Sequence, residues 1–327
     1  MINIALIGTN MITERLIDGL ILVEGIKITA VYSRTLEKAK KFANKYNIEN
    51  TFTDLEEMAK SDKVDAVYIA SPNSMHGEQA KIFIKNKKHV LCEKAFASNA
   101  KEGKEVIDLA KENNVVIMEA MKTTLLPNFL ILKDNLHKIG KVRKYVGTYC
   151  QYSSRYDKYK AGEVLNAFKR ELSNGALMDI GVYCIAPMVN LFGKPNKISA
   201  EGVLLETGVD GEGSAVFSFD SMDASINYSK IADSHLPSEI QGEEGSILID
   251  KITTYNSVKI IYRDGRVEEI AEPQEQFDMC YEVEEFVKVI NNGEKESKIN
   301  SLYNTLAVLE IMDEIRKQVG VVYPADL

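Results

Sequence analysis

The feature that most constrains this fold is a rhythm in the first 120 residues, where short, largely apolar runs alternate with segments that are apolar at every third or fourth position. Runs 2–7, 27–32, 66–70, 89–91 and 115–118 are too short and too apolar to be anything but interior strands. Segments 11–22, 36–46, 76–86 and 100–113 between them carry the helical period. Strand, helix, strand repetition implies parallel strands, whose crossovers lay helices over both faces. Residues 1–122 are therefore expected to form a doubly wound parallel sheet.

Past Lys122 the texture changes. A helix is expected over 128–138 and a strand with alternating polar positions over 142–152. From 197 to 262 successive strands are separated by turn signals at Gly208, Gly211 and Gly242, with a further turn at Gly265. No helical segment interrupts them, so antiparallel pairing with one wet face is expected. Two amphipathic helices close the chain, one striped by Met279, Val283, Phe286, Val287 and Ile290, the other by Leu302, Leu306, Leu309, Met312 and Ile315. Because 327 residues exceed one ordinary core, residues 123–327 are assigned to a second domain built on an open, mostly antiparallel β-sheet.

A net charge of −8, with lysines scattered through both halves, leaves no basic face to follow a phosphate backbone, so nucleic acid is not an expected partner. No apolar run approaches the roughly 20 residues of a membrane span, and residues 2–7 are too few for a signal h-region; the expectation is a cytoplasmic protein with no membrane partner. Cys92, Cys150, Cys184 and Cys280 lie far apart, with no His at zinc-ligand spacing, which fits reduced thiols and no metal site.

The first strand runs into Gly8, Thr9, Asn10 and Met11 and then a helix, whose unpaired N–H groups and positive dipole end suit a pyrophosphate. A full Gly-x-Gly-x-x-Gly fingerprint would place glycines at 8, 10 and 13, and only Gly8 matches; Asn10 tolerates the positive φ such a turn uses. The second strand ends in Ser33, Arg34 and Thr35, where an acid would normally hold the ribose 2′-hydroxyl. Two hydroxyls and a guanidinium suit a 2′-phosphate instead, so NADP(H) is favoured over NAD(H).

Four segments together resemble the Gfo/Idh/MocA family, the glucose-fructose oxidoreductases and inositol dehydrogenases. They are Gly8 to Asn10; Ser71, Pro72 and Asn73 with His76, similar to a Pro-Asn-x-x-His turn; Glu93 and Lys94 followed by Ala95, similar to a Glu-Lys-Pro motif; and Asp179 with Tyr183, similar to an Asp-x-x-x-His segment. Tyrosine at that last position, with Met118, Glu119, Ala120, Met121 and Pro127, resembles the branch acting on trans-dihydrodiols. The resemblance implies an N-terminal Rossmann domain and a C-terminal sheet domain often used for oligomer contacts, hence a homodimer or higher homo-oligomer. It also implies a sugar, polyol or cyclic diol as substrate. It implies further that the Ser71–Pro72–Asn73 turn lies beside the cofactor, with Asn73 and His76 at its nicotinamide end unless His76 opens a surface helix, and that Glu93 positions the cofactor or Lys94. Ala95 in place of proline removes a fixed φ and any preference for a cis bond after Lys94.

Moving a hydride from a secondary alcohol requires a group to take the hydroxyl proton. Lys94, at the carboxyl end of a parallel strand, and Tyr183 form the expected proton-handling pair, with Asp179 orienting substrate hydroxyls. Asp179 and Tyr183, four residues apart, should share a helix face in a segment capped at Ser173 or Asn174 and stopped at Gly193, with Pro187 kinking or ending it. Tyr149, Tyr152, Arg155, Tyr156 and Tyr159 are candidates for the pocket wall. The rival readings are a catalytically silent nucleotide-binding regulator and an NAD-assisted glycosidase.

Overall fold

The computed structural model describes residues 1–327, and the chain divides into two compact units: Met1–Lys122 with Glu275–Thr305, and Thr123–Gln274 with Leu306–Leu327.

The first unit opens with β1 (Ile2–Ile7), α1 (Met11–Leu20), β2 (Ile26–Tyr32), α2 (Leu36–Tyr46), β3 (Asn50–Phe52) and α3 (Leu55–Lys60). It continues through β4 (Ala66–Ile69), α4 (His76–Lys85), β5 (His89–Glu93), α5 (Ala100–Asn113) and β6 (Ile117–Ala120). The six strands pair in parallel in the order β3-β2-β1-β4-β5-β6, the Rossmann arrangement. All four residues of β4 are buried, as expected of a central strand covered on both faces. β3 and α3 escaped the sequence reading because β3 is a three-residue edge strand with no fully buried position, hence no apolar run.

The second unit holds α6 (Pro127–Asn135), β7 (Val142–Cys150), α7 (Ser154–Lys160) and α8 (Val182–Phe192). Seven more strands follow: β8 (Lys197–Leu204), β9 (Asp210–Ser218), β10 (Asp223–Ser229), β11 (Ser238–Gly242), β12 (Gly245–Ile249), β13 (Val258–Tyr262) and β14 (Val267–Glu269). The eight-stranded sheet has the order β14-β13-β12-β11-β7-β10-β9-β8 and is antiparallel except where β10 runs parallel to β7. Burial alternates strictly along β12, and over most of β9, so one face is packed and the other wet. The helices α9 (Cys280–Asn291) and α10 (Leu302–Val319) complete the chain.

Two expectations are corrected here. The segment Glu275–Thr305, read as part of the second domain, belongs to the first unit. Gly19 of α1 lacks a side chain where α9 begins; a Cβ there would lie 2.7 Å from the Cys280 nitrogen, so the two helices meet backbone to backbone. Asn300 Nδ2 also donates to the Met121 carbonyl at 2.9 Å, and Lys122 pairs with Asp278. Second, Arg170–Phe192 is a 23-residue segment long and apolar enough to cross a membrane, whereas no such run was expected. Of its most apolar window 72% is buried in the protein, which is the behaviour of a core helix.

Candidate active site

Strand order reverses between β1 and β4, and open α/β sheets bind ligands at the carboxyl ends of strands beside such a switch. Gly8 leaves β1 with φ +113°, and a Cβ there would come within 3.0 Å of the Ala70 carbonyl oxygen at the end of β4. Asn10 does not adopt the positive φ expected of it: at φ −99° it is the N-cap of α1. Its Oδ1 accepts from the Ile12 and Thr13 N–H groups, both at 3.1 Å, while Nδ2 donates to Ala70 O at 2.9 Å. The amide thus does what the missing glycine does not: it ties the turn to β4 and satisfies two of the helix's orphan donors. The exposed Met11 opens the helix beside this turn.

At the end of β2, Ser33 is buried and Arg34 and Thr35 are exposed. No carboxylate lies among the three, and Thr35 caps α2 without using its hydroxyl on the helix. A turn that admits no Cβ at the sheet's switch point, and a guanidinium in place of the acid at β2, fit a dinucleotide with a 2′-phosphate.

β4 and β5 lead into the sequence-predicted site residues of this unit. Tyr68, fully buried, donates to Glu93 Oε1 at 2.5 Å, and Glu93 Oε2 accepts from the Lys94 N–H at 3.2 Å. Burial raises the Glu93 carboxyl above its ordinary range, against the pull of the Lys94 charge and the Tyr68 phenol. Lys94 itself is half-buried. The Lys94–Ala95 peptide is cis, although Ala95 is not proline; the expectation that alanine removes the cis geometry is corrected.

The surface alternative for His76 is corrected: it is completely buried, with Nδ1 2.9 Å from the Ala95 carbonyl oxygen and Nε2 2.8 Å from that of Ser71. Burial lowers its pKa despite the two carbonyls. The ring fastens the Ser71–Pro72–Asn73 turn to the loop after Lys94. Ser71 Oγ in turn donates to Gln79 Oε1 at 2.7 Å, and Asn73 is buried within that turn.

In the second unit Asp179 sits in a π-helical turn, Leu177–Gly181, that runs directly into α8 with Tyr183 in its first turn. Between Gly175 and Val189 only these two side chains, four residues apart, are not fully buried. The cap differs from expectation. Ser173 adopts φ +52° and Asn174 does not cap; Asp210 of β9 reaches across to accept from Leu177 N at 2.7 Å. Burial lifts Asp210 to about 6, opposed by the Leu177 and Ala176 N–H groups. Pro187 lies inside α8 without ending it, removing only the donor that would close on the Tyr183 carbonyl.

Tyr183 packs edge-on against Tyr149, ring centroids 5.8 Å apart. Tyr149 also lines a cavity of about 360 Å³ with Thr148, Cys150, Gln151, Ser234 and Asp250. Tyr152, Tyr156 and Tyr159 instead cluster on Phe168, with Tyr156 and Tyr159 stacked at 5.7 Å, so they do not line that cavity; Arg155 is exposed. The residue that sequence reasoning missed is Lys230, buried at the end of β10 and paired with Asp179.

Residues 2–121 match the model of the Gfo/Idh/MocA oxidoreductases with an NAD-binding Rossmann fold, and residues 136–248 match that of the Gfo/Idh/MocA C-terminal domain. The chain belongs to the Gfo/Idh/MocA family. It is 56% identical to the scyllo-inositol 2-dehydrogenase (NADP(+)) of Bacillus subtilis over 326 residues, covering 100% of this chain and 99% of that one. It is 32% identical to the trans-1,2-dihydrobenzene-1,2-diol dehydrogenase of Xenopus tropicalis over 310 residues, 91% of each chain. Among solved structures, a levoglucosan dehydrogenase in complex with NADH and levoglucosan superposes with a TM-score of 0.85 at 21% identity, over 97% of this chain and 96% of that one. The last likeness establishes the shared Gfo/Idh/MocA fold, with its parallel and mostly antiparallel sheets. Membership makes this chain an NAD(P)-dependent oxidoreductase.

Proposed function

We propose that this protein is an NADP(H)-dependent dehydrogenase that interconverts a secondary alcohol of a cyclic polyol, of the scyllo-inositol class, and the corresponding ketone. The observation that carries the reading is the full-length likeness to the Bacillus subtilis enzyme, in a chain that carries Lys94, Asp179 and Tyr183. In this reading residues 1–122 hold the cofactor through Gly8, Thr9, Asn10, Met11, Ser33, Arg34, Ser71, Pro72 and Asn73, with Glu93 and His76 behind them. Residues 123–327, apart from the segment that joins the first unit, hold the substrate.

When bound, NADP(H) supplies the hydride-accepting or hydride-donating carbon. Tyr183 takes the proton of the reacting hydroxyl during oxidation and returns it during reduction. Lys94 is the second proton-handling group of this reading. Asp179 accepts from a neighbouring hydroxyl and so selects which carbon is presented. Glu93, fixed by Tyr68, sets the Lys94 backbone.

A cytoplasmic homodimer or larger homo-oligomer belongs to the same reading. It is supported by the exposed Val216, Ile261 and Val267 on the wet side of the sheet, and light scattering on the purified protein measures it. The function is tested by incubating the protein with NADP⁺ and scyllo-inositol, other inositols or trans-diols, and following NADPH absorbance. Sustained, substrate-dependent NADPH formation is expected; tight NADPH binding without turnover on any polyol or diol overturns it, and unchanged absorbance with glycoside cleavage favours a glycosidase.

A further inference from the structure

We propose that Lys230 is a positioning residue of the polyol site, whose buried ammonium fixes the Asp179 carboxylate for a substrate hydroxyl. The inference rests on the polyol reading above and deepens it.

Lysine is almost never fully buried without a partner, yet Lys230 is 5% exposed. Its backbone is held from two sides: its N–H donates to Gly211 O, and its carbonyl accepts from Ser153 N, both at 2.9 Å. Just before it, Ser229 is in register with Cys150 of β7 and Glu212 of β9. The strand is also pressed close to the π-helical turn. A Cβ on Gly181 would lie 3.1 Å from Tyr228 Cγ, and one on Gly213 would lie 2.4 Å from Tyr228 Oη. Two glycines therefore let the Tyr228 ring wedge between sheet and turn, which brings the next-but-one side chain, Lys230, to Asp179.

The ammonium donates to Asp179 Oδ2 and lies 6.0 Å from the centre of the Phe168 ring. Side-chain exposure is 6% for Lys230 and 27% for Asp179. The pair thus shows its acid outward and hides its amine, so a ligand reaches the carboxylate and not the lysine. Tyr183, four residues on, is the other side chain between Gly175 and Val189 that is not fully buried. Two adjacent acceptors suit a ring with neighbouring hydroxyls, one losing its proton at Tyr183 and the next donating to Asp179. Stability alone does not account for such a pair, because apolar residues of like volume are commonly as good in a core.

The test compares Lys230→Met, Lys230→Arg, Asp179→Asn and the double variant K230M/D179N with wild type, using scyllo-inositol and NADP⁺. NADPH affinity is read by fluorescence titration and folding by thermal melts. K230M is expected to lower kcat/KM for the polyol by at least ~30-fold with NADPH affinity unchanged, and K230R to recover most of it. The double variant should sit within ~3-fold of D179N, because the two groups act as one unit. If K230M fails to fold, the double variant, which buries no lone charge, still makes that comparison. Wild-type kcat/KM in K230M, or losses that multiply in the double variant, overturn the assignment of Lys230. A wild-type enzyme inactive on every polyol overturns it together with the polyol reading.

Discussion

The phenol of Tyr68 and the carboxyl of Glu93, on neighbouring strands β4 and β5, meet at 2.5 Å in a fully buried contact, and the other oxygen of that carboxyl receives the Lys94 N–H. One phenol therefore sets the rotamer of the acid that holds the backbone of the proposed catalytic lysine. Burial is the main reason the Tyr68 phenol stays far from ionising, with the Glu93 and Glu282 charges adding to it.

Tyr68→Phe removes a donor from a buried carboxyl without changing the ring that packs the core. The expected cost is about 1.5–3 kcal/mol of stability, read from urea denaturation. Turnover should fall as well, because Glu93 is then free to leave the Lys94 N–H.

Lys94→Ala and Tyr183→Phe are each expected to lower turnover by at least ~100-fold, the usual scale for a lost proton-transfer group. NADPH should still bind both variants, as fluorescence titration will report. Near wild-type turnover in both would remove them from the chemistry.

Arg34 is the cation that stands where an acid would select NAD(H). Arg34→Ala is expected to weaken NADPH by ~10-fold while leaving NADH nearly unchanged, an exposed contact being screened by solvent. Parallel titrations with the two cofactors measure the gap.

Glu119 on β6 is buried with its carboxyl raised to about 7, chiefly by burial, although the Phe96 N–H and the Thr305 side chain pull it down. A carboxyl whose folded pKa lies above its unfolded value of 4.5 stays protonated longer in the native state. Its contribution to stability is therefore whole below pH ~4.5 and lost as pH rises to ~7, on the order of 3 kcal/mol. Glu119→Gln, which keeps an acceptor for Phe96, should flatten that slope in urea midpoints taken between pH 5 and 8.

The sequence carried most of the first unit because its strands announce themselves locally: β1, α2 and α5 lie within the residues their periodicity predicts. The mostly antiparallel sheet was equally legible from its turn glycines and from the lack of helical segments between the strands. What stayed hidden depends on long-range approach. The cap on the Asp179 turn comes from Asp210, a helix, a strand and a loop away, so no local capping pattern exists to find. Lys230 is one lysine among many until Gly181 and Gly213 are seen to admit Tyr228. The docking of α9 on α1 rests on Gly19, which in sequence reads as a mere helix weakener. His76 gave a motif but not a depth, and its burial between two carbonyls is a tertiary fact.

Asn10 already occupies the donors of Ile12 and Thr13. Those two amides are spent within the turn itself, so an anion seated at the mouth of α1 would have to draw its hydrogen bonds from other donors.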